Sequence, residues 1–218
     1  MKKILLSAAF VALALMPAMA ADVVELPVAS TYNWTGFYLG AHVGGGKSKV
    51  DWEYSLNGAT ADHDGSGALG GVQAGYNFQS GNIVYGIEAD IAAAKIDGDT
   101  SCPNPAYTCE SDVKMLGSLR GRIGYTMDRL LIYGTGGLGY GTIEIGTSGP
   151  VGTNDTTKTK AGWTLGAGLE YAFNDHWSLK GEYKYFDLGK GDYTVDGGEN
   201  VEAKVRIHTG VVGLNYKF

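Results

Sequence analysis

"GVVGLNYKF", residues 210–218, sets Val212, Leu214, Tyr216 and Phe218 at every second position. A period of two sends successive side chains to opposite faces, the mark of a strand with one apolar side. Chain ends are ordinarily frayed and polar. Here the alternation runs to Phe218, so this residue is expected to belong to the structured element. A strand of this kind needs a neighbour on each side, and the rest of the sequence has to supply them.

The other end bounds the setting. "MKKILLSAAFVALALMPAMA", residues 1–20, has Lys2 and Lys3, an apolar stretch over 4–16, and Ala18-Met19-Ala20 ahead of Ala21. This predicts a secretory signal peptide cut between Ala20 and Ala21. A membrane-spanning helix needs roughly 20 apolar residues; this run is shorter, ends at Pro17 and is followed by no stop-transfer charges. Losing Lys2 and Lys3 takes 17 basic residues to 15 against 23 acids, a net charge of −8. Such a surface argues against nucleic acid as a partner.

Glycine accounts for 35 of 218 residues, about twice its usual share of roughly 7%. Proline is scarce and tyrosine numbers 14, so neither a collagen nor a proline-rich disordered chain fits. The two cysteines, Cys102 and Cys109, lie in the polar segment "DTSCPNPAYTCES", residues 99–111. In an oxidising periplasm they are expected to pair, which the chain-entropy model values at about 2–3 kcal/mol. No histidine or second cysteine pair stands beside them to suggest a metal.

Four tyrosines lay out the middle of the chain: Tyr76 in "GYNFQSGN", Tyr125 in "GYTMDRLL", Tyr171 in "EYAFNDHW" and Tyr216 in "NYKF", spaced by 49, 46 and 45 residues. After each of the first three comes a short polar turn, at 79–82, 127–129 and 174–176, and then a new alternating run. Each period therefore holds two strands, joined at one end by a tight turn. At the other end lie longer polar stretches, at 47–67, 97–112, 144–161 and 189–204, read as loops. Short turns on one side and long loops on the other are the plan of an outer-membrane barrel. Counting outward gives eight strands, starting near Gly36, Ala68, Ile83, Val113, Leu130, Gly162, Trp177 and Val205. The fold expected is all-β, an eight-stranded antiparallel transmembrane β-barrel over 36–218, preceded by a short periplasmic segment at 21–35.

One parity of these strands collects Phe37, Leu39 and Val43, then Val72, Tyr76 and Phe78, Tyr85, Ile87 and Ile91, and on to Leu165, Leu169 and Tyr171, with no charge among them. The other carries Glu88, Asp90, Arg120, Arg122, Glu170, Lys180, Glu182 and Lys184. Glu144 and Arg206 break the rule, but each lies further from its tight turn than the roughly 9–11 residues a spanning strand needs. A soluble barrel alternates in the same way with its apolar face inward. Export, aromatic residues beside each tight turn and the aromatic last strand favour the opposite arrangement. Glu88, Asp90, Arg120, Arg122, Glu170, Lys180 and Glu182 then fall at similar depth in the lumen, where they are expected to form an ion-pair network that plugs it, because interior charges are costly unless paired.

The segments "WTGFYLGAHVGGG", "GGVQAGYNFQ", "VYGIEADI", "LRGRIGY", "LIYGTGGLGYG", "WTLGAGLEYAF", "WSLKGEYKYFDLG" and "VVGLNYKF" cover every strand. They resemble the small outer-membrane β-barrel proteins of alphaproteobacteria, the "porin family" with the Brucella-type surface antigens and Bartonella haemin-binding proteins. The resemblance implies that Val212, Leu214, Tyr216 and Phe218 are the signal read by the barrel-insertion machinery. It also raises two alternatives to a structural and surface-interaction role: a passive porin for small solutes, and a haemin-binding surface protein. Haemin would need an accessible axial ligand, for which His63, Tyr107 and His208 are the candidates.

Other motifs carry less. "GTGGLG", residues 134–139, matches a dinucleotide fingerprint, but that site needs a helix after the glycines and "YGTIEIG" continues as strand. "DHDGSG", residues 62–67, offers Asp62 and Asp64 without the distal glutamate of a calcium loop. His42 falls on the lumen parity and His176 in a tight turn, and no nucleophile motif accompanies any histidine, so no enzyme is expected. Lys47, Lys49, Lys158, Lys160, Lys204 and Arg206 are the cations available at the outer rim for lipopolysaccharide phosphates, interspersed with acids such as Asp51, Asp62, Asp64, Asp196 and Glu199.

Overall fold

The computed structural model describes residues 32–54, 60–101, 108–149, 152–195 and 199–218, with side chains placed at 32–49, 64–98, 112–144, 157–189 and 204–218. Eight strands follow in order: β1 (Gly36–Tyr54), β2 (Thr60–Ser80), β3 (Ile83–Ser101), β4 (Thr108–Met127), β5 (Leu130–Gly149), β6 (Gly152–Ala172), β7 (Trp177–Val195) and β8 (Glu199–Lys217). Each pairs antiparallel with its chain neighbours, and β8 returns to β1 through Val43↔Val212 and Leu39↔Tyr216, closing the barrel. Closure leaves no unpaired edge, the condition for placing strands in lipid.

The tight turns follow from local chemistry. Between β2 and β3, Gly81 has φ 60°, a left-handed conformation that costs glycine little. Between β4 and β5 the same role falls to Asp128, φ 55°, a residue type whose short polar side chain tolerates it. The first strand and those that leave the tight turns begin where the sequence placed them, at Gly36, Ile83, Leu130 and Trp177.

The strands that descend from the far side begin earlier than the alternation suggested, at Thr60, Thr108, Gly152 and Glu199. Much of the four polar stretches read as loops is paired strand, β1 and β2 as far as Glu53↔Thr60 and β5 and β6 as far as Gly149↔Gly152. Beyond the hydrocarbon both faces of a strand meet water, so pairing continues without an apolar face to advertise it. The threonines of "TNDTTKTK" (153–160) are β-branched and suit extended backbone.

Side-chain exposure decides which way the barrel faces. Val43 is 68% exposed, Leu138 67% and Ile123 64%, among a continuous outer wall of Leu, Ile, Val, Phe and Tyr, while Arg120, Glu88 and Lys180 are buried inside. A soluble protein does not present such a wall to water. The exterior is built for lipid.

The interior is packed in three layers. Near the tight turns, Tyr32, Trp34, Val84, Leu131, Tyr133 and Ala172 form an apolar cluster. Above it lies a layer of charges. Above that, Leu69, Ile96, Val113, Leu116, Ile143, Phe186, Leu188 and Ile207 belong to a second apolar cluster within the barrel. Val113 shares the odd parity of the lipid-facing Leu119 and Ile123, yet it is buried inside, because an irregularity between Val113 and Met115 shifts the register of β4. A bulge of this kind re-aims side chains that strict alternation would send outward.

Candidate functional site

The candidate site is the charged middle layer. Glu88 and Arg120 are direct cross-strand partners on β3 and β4, and Glu170 and Lys180 on β6 and β7. The register thus sets opposite charges face to face before any side chain reaches across the lumen. Arg120 is the hub. Its guanidinium pairs with Glu88 at 2.5 Å, with Asp90 at 3.0 Å and with Glu182, and it donates to the Thr135 hydroxyl at 2.8 Å. Lys180 bridges Glu88 at 3.0 Å and Glu182 at 3.3 Å.

A second centre is Arg122. It pairs with Glu170 and lies over the Tyr133 ring, 3.8 Å from its centroid. Glu170 also accepts from Ser178 at 2.5 Å and from Asn215 at 2.7 Å. Tyr38 ties the two centres together by donating to Glu88 at 2.7 Å. Gly75 leaves no room for a Cβ beside the Tyr38 ring, and Gly168 none beside Tyr133. Such glycines, a weakness in an ordinary strand, admit two large rings to a narrow lumen.

All seven charges singled out by parity, Glu88, Asp90, Arg120, Arg122, Glu170, Lys180 and Glu182, sit in this one layer. Lys184 joins it through Asp90 at 2.8 Å. With it the layer holds four acids and four bases, so it is neutral as a whole. Its charge-assisted hydrogen bonds run between β3, β4, β6 and β7, and such bonds are about twice as strong as neutral ones. His42 lies to one side, with Nδ1 2.5 Å from Gln73, which donates to Asn215 at 2.7 Å.

Two parts of the interior were not read from the sequence. The upper apolar cluster was visible in principle, since Phe186 continues the parity of Lys180 and Glu182 and Ile96 that of Glu88 and Asp90. The Tyr32–Trp34 plug had no signal, because it lies outside the alternating pattern. Trp34 is 2% exposed; its Nε1 donates to Thr126 at 2.8 Å and its amide donates to Gln79 at 2.7 Å.

The model of the "Outer membrane protein beta-barrel domain" family matches residues 8–218. The chain belongs to this outer-membrane β-barrel family. Among its relatives, the "31 kDa outer-membrane immunogenic protein" of Brucella melitensis biotype 1 is 42% identical over the whole of both chains. The "22 kDa outer membrane protein" of Rhizobium leguminosarum bv. viciae is 36% identical over 80% of this chain and 74% of its own. Among solved structures, OprG from Pseudomonas aeruginosa aligns with a TM-score of 0.57 at 15% identity, over 86% of this chain and 98% of that one, a likeness of fold. This outer-membrane barrel therefore resides in the outer membrane of a Gram-negative bacterium, with its apolar wall in lipid.

The remaining residues of interest in the outer-membrane barrel are placed as follows. Val212 and Leu214 lie on the lipid face of β8; Tyr216 stands beside Trp177 at 5.0 Å, and Phe218 beside Phe37 at 5.7 Å. Lys47, Lys49, Lys204 and Arg206 share the outer face near the extracellular end. Lys158 and Lys160, also counted as rim cations for lipid phosphates, pair across from Ile143 and Gly141 and so lie on the interior face instead. The unbroken alternation of β6 carries them inward. Glu144 lies outside, 3.8 Å from Lys114. His208 faces outward and has Nδ1 2.5 Å from the Tyr183 hydroxyl. Ala20, Ala21, Cys102 and Tyr107 lie outside the described residues, as do the side chains of Cys109 and His63. Among the described residues no group of His, Cys, Asp and Glu is arranged to hold a metal ion.

Proposed function

We propose that this protein is a structural and surface-interaction component of the outer membrane whose lumen is closed to solutes. One observation carries the reading. The eight balanced charges bridge the interior at mid-height, between an apolar cluster above and the Trp34 cluster below. Eight strands enclose a space that side chains just fill, and a general porin needs a wider, water-lined ring. The extracellular loops are then the working surface. That fits relatives named for being immunogenic, and partners are met there or in the surrounding lipid and lipopolysaccharide rather than in the lumen.

The reading is non-enzymatic and gives nucleic acid no part. It assigns Val212, Leu214, Tyr216 and Phe218 to recognition by the barrel-insertion machinery. Haemin binding is not favoured by His208, which turns toward lipid with Nδ1 engaged by Tyr183. The test is solute flux. Purified protein refolded into liposomes should give no swelling in small sugars above empty liposomes, with a general porin as positive control. Swelling at the porin's rate would contradict a closed lumen.

A further inference from the structure

Above the lipid, the wall of the barrel opens between β6 and β7. Their pairing climbs from Ala172↔Ser178 to Trp163↔Asp187 and stops there. Both strands run on, each with its other neighbour: β6 stays with β5 to Gly149↔Gly152, and β7 stays with β8 to Val195↔Glu199. Among the described residues, 152–162 of β6 and 188–195 of β7 therefore make no ladder pairs with each other. β2 and β3 also part, above Ser66↔Asp97, but β3 ends at Ser101 and leaves only a short edge.

The opening is built into β7. Between its pairs with Arg206 and Lys204, β7 carries Leu188 and Gly189 where β8 has Val205 alone, an extra residue that bulges the strand. Gly189 has φ 69°, which costs glycine little. Its amide donates to the Asp187 carboxylate at 3.0 Å, and that carboxylate lies 3.4 Å from Lys204 on β8. Leu188 is buried in the upper apolar cluster. These contacts hold β7 to β8 and to the lumen rather than to β6. At the foot of the seam Gly162 has no room for a Cβ beside the Asp187 carbonyl, whereas one at Gly189 would meet nothing within 4 Å.

Trp163 stands nine residues from Ala172, about the 9–11 residues a spanning strand uses. Its ring packs on Tyr185 at 5.3 Å, as aromatic side chains do at a membrane interface. The seam thus opens in water, where unpaired backbone is tolerated as it is not in lipid. Such an edge is a template for a further strand. The edge of β7 is bulged, a form that discourages pairing. That of β6 is regular: its register with β5 is unbroken, and "TNDTTKTKAG" (153–162) has no proline. Lys158 and Lys160 share its inner face, with the exposed Thr157, Thr159 and Ala161 on the outer one. Like charges set directly opposite each other repel, and opposite ones attract. Charge therefore selects a strand with acids at alternate positions.

We infer that the edge of β6 takes an extended segment of an external protein as an added antiparallel strand, with acidic side chains at every second position beside Lys158 and Lys160. A second copy of this chain fits less well. Upright in the same membrane, its β6 runs in the same direction, so antiparallel pairing, the more stable ladder, is closed to the two, and its β7 edge is bulged. The inference rests on the surface-interaction reading, to which it adds a place and a class of partner, and is independent of whether the lumen conducts.

The experiment is amide hydrogen exchange, read by NMR, of the refolded protein in detergent micelles. The probe is a synthetic peptide of about ten residues, a strand's length, in which threonine and glutamate alternate. Every second amide of 153–162 should exchange fast in the free protein and slow about tenfold or more with the peptide. The same peptide N-methylated at every residue has no backbone donors and should have no effect; nor should one that alternates threonine and lysine. Lys158→Glu/Lys160→Glu should abolish the response. Slow exchange in the free protein would show a closed seam and overturn the inference. So would no slowing by the acidic peptide, or equal slowing by either control. Protection that grows with protein concentration in the absence of peptide would give the edge to a second copy and overturn it as well. If the double variant does not fold, the three peptides on the unaltered protein decide. Failure here strikes the β6 edge alone, since the closed lumen is judged separately by solute flux.

Discussion

Arg120 meets three carboxylates and a hydroxyl from one position on β4, so it is where a single substitution should be felt most. Arg120→Ala leaves Glu88, Asp90 and Glu182 short of a cation in a site away from water. Removing one partner of a buried ion pair costs about 3–5 kcal/mol, and the loss should appear as a lower midpoint in denaturant unfolding from lipid vesicles. Arg120→Lys keeps the charge without the forked geometry and should fall between. Unchanged midpoints for both would show the layer to be wet and weak. The residues of this layer were legible because alternation and charge point the same way. Tyr38 was not, since a tyrosine on a lumen parity announces no partner, and Lys184 shared the parity without a visible reason to reach Asp90. Strict alternation would send Val113 to the lipid face, and its place inside could not be foreseen, because a bulge leaves no mark in the residue types around it.

At the scale of elements, β8 and the segment before β1 hold the tight-turn end together. The Phe218 amide donates to the Phe37 carbonyl at 3.0 Å, and its ring lies 5.1 Å from Tyr216. Deleting Phe218 should leave synthesis and export intact but reduce the heat-modifiable, folded barrel in isolated outer membranes; normal amounts would remove this residue from the assembly signal. Trp34→Ala should cost about 3–5 kcal/mol, as buried tryptophans do, and render the lower mouth accessible to a thiol reagent at an engineered Val84→Cys. Tyr32 adds a pH dependence. Burial first, then Glu170 and Asp175, push its phenol up to about 12 from an ordinary 10.0. The neutral form is favoured in the folded state, so its contribution is complete below pH 10 and lost as pH rises through about 12. Phenolate absorbance of the folded protein minus that of Tyr32→Phe should therefore show one group titrating near pH 12; a difference centred near pH 10 would place Tyr32 in water. Elements next to tight turns were legible from the sequence. Their far ends were not, because strand pairing in water needs no apolar face.

For the whole molecule, an exterior of exposed Val, Leu, Ile and aromatic residues makes the barrel a membrane protein, and its interior determines whether it is also a channel. The number of strands and their order could be read from alternation, and the face turned to lipid from alternation taken together with export and the aromatic residues beside the tight turns. The layering of the lumen could not, since it depends on which interior residues come level after the strands close. The central claim, that the balanced charge layer closes the lumen, is tested most directly by planar-bilayer recording of the refolded protein beside Arg120→Ala. The account predicts no steady current from the unaltered chain and increased leakage from the variant. Large, stable open-channel currents from the unaltered chain, unchanged by Arg120→Ala, would contradict it.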